Sequence, residues 1–514
     1  ASISNTTTAP IKVLDAKKVI LTLADNTTNT ITDSSRLSTE EDYSAAIYSK
    51  EDLIINGNGT LNVIAGYRNG IKSTDDCIIV SGTLNITSTE DGIIGKDLCG
   101  VVAGDININA GSDGIKSTYD TDTTKGNVII EGGNITIKAS NDGIQAENIL
   151  VINDGTINIK TNNGAADTTQ THTDNMYMGR GGFGFNNNKT TTATDDTVES
   201  RKGIKAGNML IINDGDITID SDDDSVHCNS EIYIYGGTIN AATGDDGVHA
   251  DDLLTVNGGT INITQCYEGI EADDIVINDG DISVVSSDDG INSSDGSITI
   301  NGGNLLINAS GDGLDANGSI IINGGYIVVL GPTSDGDTAI DYDDSCTING
   351  GTVMAFGSSG MLEIPKGASN GACIVTAFTS VSGGSRYTLS DSNGNEILSY
   401  TPSKAYAAAI VYSDKITTGN TYDIIAGSTT LSIEVTSDVT SNVSSGLGKA
   451  GGMNKPGNGG SGMPNNGSSD NGMNGNSNGS MPDMSGNGAP DMNGNSSGDM
   501  PSMGGNSSNN SGNM

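Results

Sequence analysis

The sequence predicts an all-β fold: a parallel β-helix of about twelve coils, each ~22 residues long, with a small C-terminal antiparallel β domain and a disordered tail. Three observations predict it. An apolar residue that follows a Gly, or its substitute, recurs at Ile71, Ile93, Ile115, Ile144, Ile204, Val226, Val248, Ile270, Ile291, Leu314 and Ile340, mostly 21 to 23 residues apart. A second marker, the last Gly of NGG or NDG, keeps the same beat from Gly133 to Gly351. Within a unit, apolar residues alternate with polar ones in three short runs, as in Val248/Ala250, Leu254/Val256 and Ile261/Ile263. Alternation with period two, rich in Ile and Val, is a strand signal, and nothing here repeats at helical spacing. Three strands per ~22 residues describe one coil of a β-helix.

Residues 1–45 hold two alternating runs, IKVLDA and VILTLA, and read as an N-terminal β cap that covers an edge otherwise prone to aggregate. Residues 46–360 carry the coils. Their Gly pairs supply the positive φ of a bend, and the column Asn153, Asn213, Asn257, Asn278, Asn301, Asn323, Asn349 reads as an internal amide ladder there. Residues 161–201 interrupt the beat with a Gly-, Asn- and Thr-rich insertion bearing Tyr177, Phe183 and Phe185. Residues 361–437 break the repeat with further strand-like runs and form the small β domain. The outward residue of the third run is polar early (Asn62, Asn85, Asn107) but becomes Leu306, Val328 and Met354, so this domain is expected to cover the last coils. Residues 438–514 become Gly, Asn, Ser, Met and Pro with little else, a composition that cannot bury a core.

The chain carries 23 Lys and Arg against 64 Asp and Glu, a formal charge of −41, which excludes nucleic acid as a partner because a polyanion would be repelled. No apolar run approaches a membrane span. A start at Ala1 without Met reads as a processed secreted chain, extracellular or at the cell surface. Six Cys are too few for a disulfide scaffold, and Cys77 and Cys99 share a column as stacked core thiols, within reach of a bridge.

Carboxylates at stacked positions are the chemical signal. No Lys or Arg occurs from Ala206 to Cys346, while Asn213 to Asp344 holds 27 Asp or Glu. Before the apolar marker stand Asp223-Asp224, Asp245-Asp246, Glu268, Asp288-Asp289 and Asp312; after it stand Asp251-Asp252, Glu271, Asp273-Asp274, Asp295 and Asp315. Carboxylates about 4.8 Å apart in neighbouring coils repel one another unless neutralised, and Ca²⁺ tolerates such irregular oxygen sets best. A solvated acidic face is the bland alternative, but it would scatter its acids and include Lys. The expected Ca²⁺ ligands are Asp223, Asp224, Asp245, Asp246, Asp251, Glu268, Glu271, Asp273, Asp288 and Asp289. His227 and His249 share one column between Lys205 and Glu271; they lack the third nitrogen or sulfur ligand a zinc site wants. Lys205, His227, His249 and Tyr267 are the expected ligand contacts. No GxSxG elbow supports nucleophilic chemistry.

The repeats DDGVHADDLLTVNGGTINI and YEGIEADDIVINDGDISV, the segment RKGIKAG and the coil AIDYDDSCTINGGTVMAFGSSGM resemble secreted clostridial carbohydrate-binding-domain proteins over roughly residues 12–437. The resemblance implies a right-handed parallel β-helix related in shape to pectate lyases, association with calcium, and binding of cellulose and acidic plant polysaccharide. It places calcium at Asp223, Asp224, Asp245, Asp246, Glu268, Glu271, Asp288 and Asp289. The expected function is therefore calcium-dependent binding of plant cell-wall polysaccharide such as polygalacturonate, and of cellulose. With no Trp, flat glucan would have to meet Tyr67, Tyr119, Tyr233, Tyr235, Tyr267 or the Phe183/Phe185 loop, or else the Asn and Thr columns. Two alternatives remain: a cell-surface fibre formed by head-to-tail self-association, and a calcium-dependent lyase. In a lyase Lys205 would be the base, but a base must be neutral and the carboxylates around it favour an ammonium. No catalytic residue is otherwise expected.

Overall fold

The computed structural model describes residues 1–34, 43–166 and 200–443; the expected flexible tail from 444 on, most of the insertion and its three aromatics lie outside these residues. The described residues form strands and turns, with no α-helix among them. Three long sheets of parallel coil strands build a β-solenoid of about thirteen turns. The first sheet has 13 strands, from Ile11–Val13 to Ile340–Tyr342, and contains the apolar marker. Its register runs Ile71↔Ile93↔Ile115↔Ile144↔Ile204↔Val226↔Val248↔Ile270↔Ile291↔Leu314↔Ile340, so the sequence beat is the coil beat. A second sheet of 14 strands and a third of 17 complete each coil.

The first residues add to the stack. Ile11–Val13, Val19–Leu23 and Thr28–Asp33 each pair in register with the coil that follows, which makes one turn more than the twelve expected. Ser2–Asn5 pairs with Thr28–Asp33 beyond that turn. The runs IKVLDA and VILTLA alternate like coil strands because they are coil strands.

One apolar core runs along the interior, where marker residues such as Ile115, Val226 and Ile291 are fully buried. Two glycine columns make the coils fit. Gly259 takes φ +91° at the bend before the third sheet, a conformation costly for a side chain. Gly247, before the marker, is needed for space: a Cβ there would lie 2.5 Å from the Gly269 carbonyl oxygen and from Ile263 Cδ1. The Asn column differs from expectation. It lies on the outside of its bend, because Ile277 points inward and alternation turns Asn278 to solvent. It is a ladder all the same: the Nδ2 of Asn278, Asn301, Asn323 and Asn349 donates to the Oδ1 one coil below at 2.8 to 3.0 Å.

At the far end Thr352–Gly357 pairs antiparallel with Tyr406–Ser413, which pairs with Ala372–Val381. Val439–Ser441, inside the expected tail, adds a parallel strand. Four more antiparallel strands, Tyr387–Asp391, Glu396–Tyr400, Thr421–Ala426 and Thr429–Glu434, form a separate sheet. A second core joins this region to the coils through Val328, Met354 and Phe356, so the outer apolar stripe is covered there, while Leu306 stays exposed. Lys404 reinforces the cover by donating from Nζ to the carbonyls of Ala309 and Leu330.

Candidate functional site

Every coil passes from the third sheet to the first through a short corner that ends on the marker. Two residues before the marker stand Asn69, Asp91, Asp113, Asp142, Lys202, Asp224, Asp246, Glu268, Asp289, Asp312 and Thr338 in successive coils. One residue after it stand Lys72, Ile94, Lys116, Gln145, Lys205, His227, His249, Glu271, Asn292, Asp315 and Asp341. The second column changes from cationic to acidic along the stack. The first is acidic in eight of these eleven coils, the exceptions being Asn69, Lys202 and Thr338.

The acids before the marker have a structural task that sequence reasoning missed. All but Glu268 lend one oxygen to the backbone N–H of the counterpart in the next coil. Asp91 accepts from Asp113 at 3.1 Å, Asp113 from Asp142 at 3.0 Å, and Asp142 from Lys202 at 2.8 Å. Asp224 accepts from Asp246, Asp246 from Glu268 and Asp289 from Asp312, at 3.1, 3.2 and 2.6 Å. A carboxylate here satisfies a corner N–H that would otherwise be orphaned.

At the Asp113 and Asp224 corners the second oxygen meets a cation. Lys116 Nζ lies 2.5 Å from Asp113 Oδ2. Lys202 Nζ lies 2.6 Å from Asp224 Oδ2 and 2.9 Å from Asp223 Oδ1. Burial opposes its charge, but Asp224 and Asp223 outweigh burial and raise its pKa. Burial alone would raise Asp224 too, yet Lys202 and His227 hold it well below the usual carboxylate range. His249 Nδ1 sits 3.0 Å from Asp246 Oδ2 and 3.3 Å from Glu271 Oε2. Burial disfavours its charge, but the Asp246 bond and nearby carboxylates push it up to about 10.

In the upper coils the cations are gone. Oxygens of Asp289, Asp312 and Asp315 lie within 4.8 Å of one another, and among the described residues no Lys, Arg or His forms an ion pair with any of them. Burial, then repulsion from Asp288 and Asp315, pushes Asp289 up to about 8. Burial likewise takes Asp312 to about 9, with Asp289 and Asp315 adding to it. Asp315 reaches about 6 through burial and Asp341. Gly311 keeps the place open: a Cβ on it would fall 2.4 Å from an oxygen of both Asp288 and Asp289. An all-oxygen set short of positive charge fits a hard divalent cation such as Ca²⁺.

The other expected residues spread along this corner. Asp223, Asp224 and Asp245 form one cluster, closed on one side by Lys202, and Asp246, His249 and Glu271 form another. Burial and like charge raise Asp245 to about 8 and Glu268 to about 10, and Glu271 reaches about 8 despite His249. Glu268 accepts at Oε2 from Asn292, at 2.8 Å. Asp251 is exposed, with Oδ1 3.5 Å from His249 Nε2. Asp273 accepts from Ser294 and faces the next bend, away from the corner acids. Tyr267 is half-buried, its backbone tied to Asp245 and Asp288. Lys205 Nζ donates to Ser200 Oγ at 3.2 Å, and Ser200 donates to Asp142 at 2.8 Å. Asp312 and Asp315 belong to the best acid-only group; their register places them at the corner, and only the missing cation singles them out. Nothing in the sequence points to a further group of three, Asp52, Asp75 and Asp76, in the early coils. All six Cys are buried and free, including the stacked Cys77 and Cys99.

The model of a family described as "Carbohydrate-binding domain-containing protein" matches residues 1–247 and again 245–438. A protein of that description from Acetivibrio thermocellus is 38% identical over 89 residues, 16% of this chain and 31% of the relative's length. A solved structure titled as the polysaccharide lyase-like protein from C. thermocellum, in a gadolinium derivative, is 35% identical over 31% of this chain and 66% of that chain, with a TM-score of 0.31. The chain thus spans about a third of the curated relative and just under two thirds of the solved one. With its coils covered by two matches to one family model, the chain belongs to the carbohydrate-binding domain-containing family.

Proposed function

We propose that the protein is an extracellular, calcium-dependent binder of acidic plant polysaccharide such as polygalacturonate. The observation that carries the reading is the group Asp289, Asp312 and Asp315, three half-buried carboxylates with no cation in pairing range among the described residues. These residues, with Asp288, would hold Ca²⁺, and the ion would present positive charge on an otherwise acidic wall. A uronate carboxylate is the sugar group that answers it. Its neighbours on the chain would lie along the stack, where the corner acids of successive coils offer further oxygens. Binding without turnover is the activity expected of this arrangement.

Cellulose is a second ligand for a different surface. Neutral glucan offers hydroxyls and flat ring faces. The exposed Asn278–Asn301–Asn323 ladder and the exposed ring of Tyr235, 6.5 Å from Tyr233 and nearly parallel to it, offer amides and flat rings in return.

The test is retention on immobilised polygalacturonate and on cellulose, each with millimolar Ca²⁺ and with EDTA. Calcium-dependent retention on polygalacturonate and calcium-indifferent retention on cellulose support the reading. Equal retention on polygalacturonate with EDTA overturns it.

A further inference from the structure

One corner of the stack is unlike the acid-only group above it. His227 and His249 are register partners in adjacent coils, with ring centroids 4.9 Å apart. One ligand atom from each of Asp224, His227 and His249 lies within 4.8 Å of the other two. His227 is 9% exposed and Asp224 2% exposed, so much of this cluster is shielded from solvent although its column lies outside the apolar core.

The placement of the His227 ring is the telling feature. Its Nε2 lies 2.8 Å from Asn229 Oδ1. Its Nδ1 is fully buried and, by its alignment, makes no hydrogen bond, although Asp224 Oδ2 stands 2.9 Å away. A ring nitrogen and a carboxylate oxygen thus stand together beside His249. A ligating imidazole commonly shows this pattern, with the second ring nitrogen donated to an oxygen that sets tautomer and orientation.

We propose that Asp224, His227 and His249 form a site for a borderline divalent transition-metal ion such as Zn²⁺, separate from the calcium groups. Imidazole nitrogen selects Zn²⁺, Cu²⁺ or Ni²⁺ over Ca²⁺, which takes oxygen ligands. The carboxylates of Asp246 and Glu271, both beside His249 Nδ1, are at hand to complete or buffer the ligand set. Lys202 already pairs with Asp224, but it also holds Asp223 at 2.9 Å and can keep that partner when an ion takes the histidine side of Asp224. The site needs no help from the buried thiols, none of which is in the cluster.

The experiment is a titration of the full chain, stripped with chelator and re-equilibrated in millimolar Ca²⁺, with Co²⁺ followed by visible absorption and Zn²⁺ followed by calorimetry. The expected result is one equivalent bound with the intense bands of a low-coordinate nitrogen–oxygen site, and Zn²⁺ displacing Co²⁺. His249→Gln should weaken binding of the ion at least about tenfold, and Asn229→Ala should weaken it by freeing the His227 ring. Asp312→Asn should leave it unchanged. A His172→Ala control separates the third histidine of the chain from this pair. No saturable Co²⁺ binding in wild type overturns the proposal, and so does undiminished binding in a folded His249→Gln protein with an unchanged circular dichroism spectrum.

Discussion

Asp312 and Asp315 occupy, across their corner, the places that Asp113 and Lys116 occupy in a lower coil. The lower pair is closed by a 2.5 Å ion pair. The upper pair is two carboxylates, with Asp289 beside them. Replacing one lysine by an aspartate at an unchanged backbone position turns a self-neutralised corner into one that demands an external cation. The account of function rests on that exchange.

Without calcium, stability should fall as pH rises from about 5 to about 9. The buried carboxylates Asp289, Asp312, Glu271 and Asp245, raised to about 8, 9, 8 and 8, keep protons that the unfolded chain releases above the ordinary 3.8 to 4.5. The unfolded state then binds fewer protons, and stability declines with pH. His249, raised from 6.5 to about 10, acts in the same direction: its contribution is complete below 6.5 and lost as pH approaches 10. Asp224 opposes them only in acid, since a depressed carboxylate loses its contribution as pH falls through its folded value. Thermal unfolding in EDTA at pH 5, 7 and 9 checks this, and a midpoint that rises with pH contradicts it. Saturating Ca²⁺ should flatten or reverse the trend.

Gly247→Ala should destabilise the fold by about 1–3 kcal/mol through overpacking, because its Cβ would meet the Gly269 carbonyl and Ile263 at 2.5 Å. Gly132→Ala is the matched control. The Cβ there meets only the Val102 carbonyl at 3.5 Å, and the change should be neutral or stabilise by up to about 1 kcal/mol. Denaturant titration of both proteins distinguishes a space requirement from a general glycine effect.

Met354→Lys should uncouple the C-terminal strands from the coils. Met354 is 1% exposed in the core that also holds Val328, Phe356 and Tyr387. An unpaired buried ammonium costs several kcal/mol. Limited proteolysis should cut the segment after Gly357 far faster than in wild type. Leu306→Lys, at an exposed position of the same outward column, should leave the digestion pattern unchanged.

The coil architecture was legible because a solenoid repeats its instructions: inward Ile and Val, a bend Gly and a corner Gly recur at one spacing from Ile71 to Ile340. The extra first coil escaped because Ile11–Val13 and Val19–Leu23 lack the corner glycine before their marker. The Asn ladder is legible as a ladder, but its outward side is not, since alternation has to be counted from Ile277 rather than from the bend. The acidic corner was visible as a charge pattern. Its division into neutralised and unneutralised parts was not, because it depends on which side chain lies across the corner from which. Lys202 reads as one more surface lysine until Asp223 and Asp224 are found against it.

Calcium titration by calorimetry tests the central claim most directly, comparing wild type with Asp312→Asn/Asp315→Asn and with Asp113→Asn. The account predicts that the upper double substitution removes at least one Ca²⁺ equivalent and the stabilisation linked to it, about 2.7 kcal/mol at a hundredfold excess over Kd. Asp113→Asn, at a corner with its own lysine, should leave the calcium count unchanged. Identical calcium binding by wild type and the upper variant, or none by wild type, would contradict it.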